Sequence, residues 1–168
     1  MDQKNSGSKV EKGFSRAIQV GIIVRDIEKS IEKYREIMGW EPVGRAETPK
    51  GETYYYGEKE DFCVKMAFYQ FDNIEIELLE PAWGRSLWQD YLDEHGEGIH
   101  HILFDVDNFS GTQARLEKHG IKLAQEGPSA RYPGAKWGYF DSTEQLGFIL
   151  EVFNPSEHGY EIRSADAK

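Results

Sequence analysis

Gln19, Glu77, His101 and Glu151 are the side chains whose types and placing could do chemistry together. Gln19 sits in Ala17-Ile-Gln-Val-Gly-Ile-Ile-Val24 and His101 in Gly98-Ile-His-His-Ile-Leu-Phe-Asp-Val106. Both runs alternate with period two, the pattern of a strand with one face covered. Glu77 and Glu151 lie in Ile-Glu-Leu-Leu and Leu-Glu-Val-Phe, again flanked by apolar residues of the opposite parity. Two carboxylates, an imidazole and an amide oxygen make a hard O/N donor set. It suits a divalent metal ion (zinc, cobalt, manganese, nickel or magnesium) with positions left open to water. Such an ion also meets an electrostatic need. Two carboxylates in a partly dry cleft repel, and a divalent cation cancels both charges.

A weak internal repeat places these residues. Aligning His101 with Gln19 superimposes Ile102 on Val20, Phe104 on Ile22 and Val106 on Val24, and brings Gly120 within one residue of Gly39. Each strand runs through an acidic residue into an amphipathic helix. The first is capped by Asp26, carries Ile27, Ile31, Tyr34 and Met38 at helical spacing, and stops at Gly39. The second spans 110–119, capped by Asn108 or Ser110. These helices cover the Ile18/Val20/Ile22 and Ile102/Phe104/Val106 faces, which leaves Gln19 and His101 on the free face. His100 shares the covered parity and reads as structural. Further strands are predicted at 52–56, 62–69 and 74–79, and at 122–125, 137–141 and 148–153. The chain thus divides into a polar arm (1–14), a βαβββ module (15–81), a linker helix (82–96), a second βαβββ module (97–154) and a polar tail (155–168). The predicted fold class is α+β: two βαβββ modules forming a cleft-shaped, partly open β-barrel with helices outside. Each carboxylate alone is most simply a solvent-facing strand residue. Their joint occurrence at equivalent positions is what favours a shared site.

Composition narrows the partners. The 168 residues carry a net charge of −10, which argues against a nucleic-acid or anionic-membrane surface. No apolar run is long enough for a membrane helix. The single cysteine, Cys63, excludes an internal disulfide and fits a cytoplasmic protein.

With Val24-Arg-Asp-Ile-Glu-Lys-Ser30, Tyr34, Gly39 and Gly98-Ile-His-His-Ile102, the paired modules resemble the vicinal oxygen chelate superfamily over residues 15–154. That group includes glyoxalase I, extradiol dioxygenases, bleomycin-binding proteins and methylmalonyl-CoA epimerase. Ile76-Glu-Leu-Leu-Glu-Pro81, Tyr91-Leu and Gly96-Glu-Gly-Ile-His-His-Ile102 look most like the epimerase. The resemblance implies a small-molecule substrate, among them acyl-CoA thioesters, and a homodimer. It implies Gln19, Glu77, His101 and Glu151 as metal ligands. It also shows departures. The epimerases usually have histidine at Gln19, although glutamine is the ligand there in animal glyoxalase I enzymes. Some epimerases carry a glutamate, proposed as a base, on the strand of Lys65. Glyoxalase I has a glutathione-binding arginine where this chain has Ile23. The dioxygenase triad is broken by Gln19.

The expected function is therefore a metal-dependent lyase or isomerase acting on a proton alpha to a carbonyl, most like methylmalonyl-CoA epimerase. Glu151 is the preferred base, Glu77 the other catalytic carboxylate, and Lys65 a charge partner or proton donor. Read without a site, Lys65 is an exposed strand lysine. Arg85, Arg131 and Lys136 could meet a phosphate or CoA tail, though scattered surface cations are the simpler reading for each. The alternatives are a glyoxalase I-like (lactoylglutathione lyase-related) enzyme and a non-catalytic antibiotic-type binding protein. For the latter, Tyr54, Tyr55, Tyr56, Trp83, Trp88, Trp137 and Tyr139 could line a flat pocket.

Overall fold

The computed structural model describes Phe14 and residues 16–161; the rest of the arm and the tail beyond 161 lie outside the described residues. Its frame is a single mixed sheet in which β1 (Ala17–Ile23) and β7 (Gly98–Asp105) run antiparallel side by side at the centre. Each has a parallel neighbour on its outer side, β6 (Glu75–Trp83) beside β1 and β10 (Ile149–Phe153) beside β7. Antiparallel strands continue outward: β5 (Cys63–Gln70) and β2 (Gly44–Glu47) on one side, β9 (Lys136–Phe140) and β8 (Leu123–Pro128) on the other. The halves β2-β5-β6-β1 and β8-β9-β10-β7 mirror each other across the central seam. The sheet curls into a half-barrel, an α+β fold in which the helix of each half packs outside.

The first helix, α1 (Ile27–Met38), begins where Asp26 accepts from the Lys29 amide and ends at Gly39, whose φ of 69° is the left-handed conformation a β-carbon disfavours. Its Ile27 and Ile31 bury against Ala67, Tyr69 and Leu78 on the outer sheet face. In the second half α3 (Phe109–Glu117), capped by Asn108, covers Phe140, Leu150 and Val152. The linker helix α2 (Leu87–His95) plays a different part. Leu87, Trp88 and Leu92 pack with Ile23, Val64, Leu79 and Tyr139 on the inner face, closing one end of the half-barrel. A one-turn helix, α4 (Thr143–Leu146), precedes β10. Among the described residues no helix is long and apolar enough to cross a membrane.

Three expectations change. The strand predicted at 52–56 is a short β3 (Tyr54–Tyr55), joined to β4 (Glu58–Lys59) as a hairpin. It pairs with β8 of the other half, where buried Tyr55 donates to Asp90 of α2. The third partner of β5 and β6 is instead β2, whose Gly-Arg-Ala-Glu has no β-branched residue to announce it. Ile18 does not face α1. A bulge between Ala17 and Gln19 turns it onto Leu103 and Phe153. The tail is also tied down where it begins: Ser156 donates to Asp105 (2.6 Å), and Glu157 accepts from Asn154 and from the Phe109 amide.

Glu77 and Leu78 are neighbours on β6 with opposite facings, which gives a direct test of the sheet's sidedness. Leu78→Ala, emptying a fully buried site under α1, is expected to lower stability by about 2–5 kcal/mol in urea denaturation. Glu77→Gln, removing a buried carboxylate from the inner face, is expected to leave the midpoint unchanged or raise it.

Candidate metal centre

The seam geometry fixes which side chains meet. Gly21 lies opposite His101 across the antiparallel pair, and Gln19 is two residues back on the same face. Glu77 stands beside Gly21 on parallel β6, and Glu151 beside Leu103 on parallel β10. Each half therefore sends in one carboxylate two residues along from its Gln19 or His101. All four are buried, His101 completely.

Three oxygens surround His101 Nε2: Glu151 Oε2 at 3.0 Å, Gln19 Oε1 at 3.4 Å and Glu77 Oε2 at 3.6 Å. The hydrogen-bonding direction of Nε2 runs toward Gln19, and Glu151 Oε2, although nearer, accepts no hydrogen bond. Burial opposes a charge on His101, but the carboxylates of Glu151 and Glu77 outweigh it and lift its pKa to about 9. Burial raises Glu77 above the usual carboxylate range, against the pull of the nearby His101 charge. Tyr139, paired with Glu151 across β9 and β10, is held firmly protonated by burial and then by both carboxylates.

His101 is also held from behind. Its Nδ1 lies 3.0 Å from Nδ1 of His100, so one nitrogen must donate and the other accept. Burial, and then the charge of His101, drive the His100 pKa well down, which keeps that ring neutral and able to accept. Gly21 completes the seat. A β-carbon there would overlap the His101 ring, so no larger residue leaves the imidazole in place.

The cleft above has about 50 Å³ of open volume. Trp88, Trp137 and Tyr139 form apolar wall, and Thr48, Pro49 and residues 129–131 stand at the mouth. Among the described residues no group of three or more His, Cys, Asp or Glu side chains stands ready as an open metal cage. The oxygens rest against Nε2 instead.

Lys65 is not part of this cluster. On β5 it is Val64, Met66 and Phe68 that line the cleft, so Lys65 has the outward parity. It pairs with Glu80 at 2.7 Å, and Glu80 in turn accepts from the Ile27 amide at the start of α1. The Glu80 hydrogen bond and charge hold the Lys65 pKa up, which removes the expected role as proton donor. The three cations considered for a phosphate tail all have partners: Arg85 lies over the Tyr55 ring, Lys136 pairs with Glu126, and Arg131 binds Glu75 through two 2.8 Å hydrogen bonds. Of the aromatic residues expected in a pocket, Tyr54, Tyr55, Tyr56 and Trp83 lie outside its lining. Glu75, absent from the sequence-derived set, touches Gln19 directly: Gln19 Nε2 donates to its Oε1 at 2.6 Å. Its signal was available, since it shares a sheet face with Glu77 two residues on.

A curled pair of βαβββ halves with a buried carboxylate–histidine–amide centre defines the class, and family comparison agrees. The model of the Glyoxalase/Bleomycin resistance protein/Dioxygenase superfamily matches residues 18–139, and the chain belongs to that superfamily. Among curated relatives, ethylmalonyl-CoA/methylmalonyl-CoA epimerase of Cereibacter sphaeroides is 29% identical over 115 residues, covering 68% of this chain and 78% of the relative. An uncharacterized protein of Bacillus subtilis, YqjC, is 26% identical over 143 residues, covering 84% and 94%. Among solved structures, a variant of Streptomyces coelicolor methylmalonyl-CoA epimerase in complex with 2-nitronate-propionyl-CoA superimposes with a TM-score of 0.64 at 20% identity, covering 84% of this chain and 97% of that one. The fold is thus that of the methylmalonyl-CoA epimerase structures.

Two outcomes test the centre itself. In metal-free protein the His101 ring should stay charged through neutral pH and titrate near 9 by NMR, while His100 stays neutral. Because the folded value lies above an unfolded histidine's roughly 6.5, the linked stabilisation is complete below that pH and lost as pH rises through about 9. Gly21→Ala should displace the His101 ring, seen as loss of its raised pKa in the same titration.

Proposed function

We propose that the cleft is a divalent-metal site and that the protein is an isomerase moving a proton alpha to a carbonyl, on a small acyl-CoA thioester. The observation that carries this reading is the convergence of three oxygen donors from β1, β6 and β10 on one imidazole nitrogen of β7. Around an ion with bonds of about 2.1 Å, neighbouring ligand atoms lie roughly 3.0 Å (octahedral) to 3.4 Å (tetrahedral) apart. The observed 3.0, 3.4 and 3.6 Å are close to those edges. The unpartnered, buried Glu151 Oε2 supplies a free lone pair there. Gln19, Glu77, His101 and Glu151 would hold the ion. When bound, it supplies a Lewis acid that draws charge off an enolate oxygen.

The protein's own groups do the rest. Trp88, Trp137, Tyr139 and Leu103 exclude water, which strengthens every charge interaction in the cleft. Glu151, lacking any hydrogen bond to one oxygen, is the carboxylate free to take the proton. Glu77 enters from β6, on the other side of the β1–β7 pair from β10, which places it to return a proton to the opposite face. No titratable group faces the cleft from β5, so the exchange rests on these two carboxylates. The cavity takes the reacting atoms only, and the remainder of a thioester would lie along the mouth by Thr48, Pro49 and residues 129–131. The epimerase names of the relatives support an acyl-CoA substrate. The glutamine donor and the absent β5 base favour a second substrate class, the α-hydroxycarbonyl adducts handled by glyoxalase I-like enzymes.

The purified protein is expected to bind about one divalent ion per chain and to exchange the α-proton of methylmalonyl-CoA for deuterium in heavy water, read by mass spectrometry. Chelation should abolish exchange, and Glu151→Gln should reduce it at least 100-fold. Exchange that survives complete metal removal overturns the metal mechanism. A metal-loaded protein inert toward thioesters but active on a hemithioacetal moves the substrate to the second class.

A further inference from the structure

We infer that Glu75 and Arg131 are positioning residues that hold the Gln19 amide with its oxygen, not its nitrogen, turned to the centre. The inference rests on the reading of Gln19 as a ligand and asks how a neutral amide is kept in the one orientation that can ligate. An amide offers an acceptor at one end and two donors at the other, with nearly the same shape. Turned the wrong way, Gln19 would present N–H groups to a cation and cease to be a ligand.

The structure removes that freedom from outside. Glu75 is directly beside Gln19 in the parallel β1–β6 register and is buried. Its two oxygens each accept a 2.8 Å hydrogen bond from the Arg131 guanidinium, a bidentate pairing in which both carboxylate oxygens act as acceptors. The Gln19 atom 2.6 Å from Glu75 Oε1 must therefore be the nitrogen. The oxygen is left facing His101 Nε2 at 3.4 Å. Arg131 is itself seated, its guanidinium 3.9 Å from the centre of the Phe68 ring and its amide donating to Ser129 Oγ. A chain of contacts thus runs from the β8–β9 loop of one half to a donor on the first strand of the other.

The two halves differ at this point. The residue beside His101 on β10, equivalent to Glu75 beside Gln19, is Ile149. His101 needs no cross-strand carboxylate because His100 meets its rear nitrogen. Gln19 has no such neighbour, and Glu75 supplies the orientation.

The test is a cycle on the full chain, with cobalt(II) affinity measured by calorimetry in wild type, Glu75→Leu, Gln19→Glu and the double variant. Glu75→Leu should weaken binding about 10–100-fold in the Gln19 background, the usual effect of losing a ligand's outer partner. In the Gln19→Glu background it should cost nothing, since both ends of a carboxylate are oxygen and a like charge has been removed. Equal losses in both backgrounds overturn the inference and mark Glu75 as merely structural. A second readout does not need the metal. In metal-free protein the Gln19 side-chain amide protons should be protected from exchange, and that protection should vanish in Glu75→Leu; protection that persists also overturns it. If Glu75→Leu does not fold, Glu75→Met, which keeps the length of the side chain and removes the acceptor, carries the same two readouts. If wild type takes up no cobalt the functional reading fails by itself, and the amide protection still decides the orientation.

Discussion

Two carboxylates buried within reach of one another are the constraint that the rest of this molecule serves. Glu77 and Glu151 are each about 95% removed from solvent, and neither strand offers them an arginine or lysine. Charge of that kind must be neutralised or left protonated. His101 supplies the local answer, and its pKa near 9 measures how strongly the two acids hold its proton. The parts around it make sense as support for that ring. Gly21 leaves room for it, His100 faces its rear nitrogen, and Tyr139 lies edge-on at 5.0 Å. Complete burial of the ring then keeps water from weakening the attraction.

The sheet delivers this arrangement by near-symmetry. An antiparallel seam places the equivalent strands β1 and β7 face to face, and each parallel neighbour adds a carboxylate in a matching register. A repeat makes such convergence inexpensive to specify, because one strand pattern written twice positions four groups. At the centre the symmetry breaks where the donors differ. A ring with two nitrogens can be steadied from its own strand by the preceding residue. An amide must be steadied from the side, and the adjacent strand carries the acid that does so.

That is also why the centre was legible in the chain and its surroundings were not. Period-two alternation in the sequence of β1, β6, β7 and β10 puts Gln19, Glu77, His101 and Glu151 on one face, and the bulge at Ile18 leaves that placing intact. Helix ends were equally plain, since Asp26 and Gly39 have cap chemistry that acts over three residues. Contacts set by tertiary pairing left no such mark. The Tyr54–Tyr55 hairpin looks like a strand of the half it follows, and only its pairing with β8 reveals the crossing. Gly44–Glu47 has weak strand propensity and is a strand because β5 offers it an edge. Lys65 was assigned by resemblance rather than by parity. Val64, Met66 and Phe68 already occupied the inward positions, and counting by twos would have sent Lys65 outward to Glu80. Glu75 obeys the same count, but its role depends on Arg131, 56 residues away, and such a pairing leaves no local mark.

The inner face of β5 sets this chain's chemistry apart from a site with a dedicated base opposite its donors. Val64, Met66 and Phe68 can pack against a substrate but cannot accept its proton. In the proposed reaction the same two carboxylates must then hold an ion and move a proton. These demands conflict, since a carboxylate shared with a cation is a weak base. Their environments ease the conflict unequally. Glu151 Oε2 accepts no hydrogen bond, and the charge of His101 at 3.0 Å is what holds it in place. Glu77 is raised above the usual carboxylate range by burial, so it can carry a proton under conditions where an exposed acid would release it. In the metal-free protein the two carboxylates already differ, Glu151 Oε2 facing His101 without a hydrogen bond and Glu77 raised by burial, and the difference comes from placement rather than from residue type.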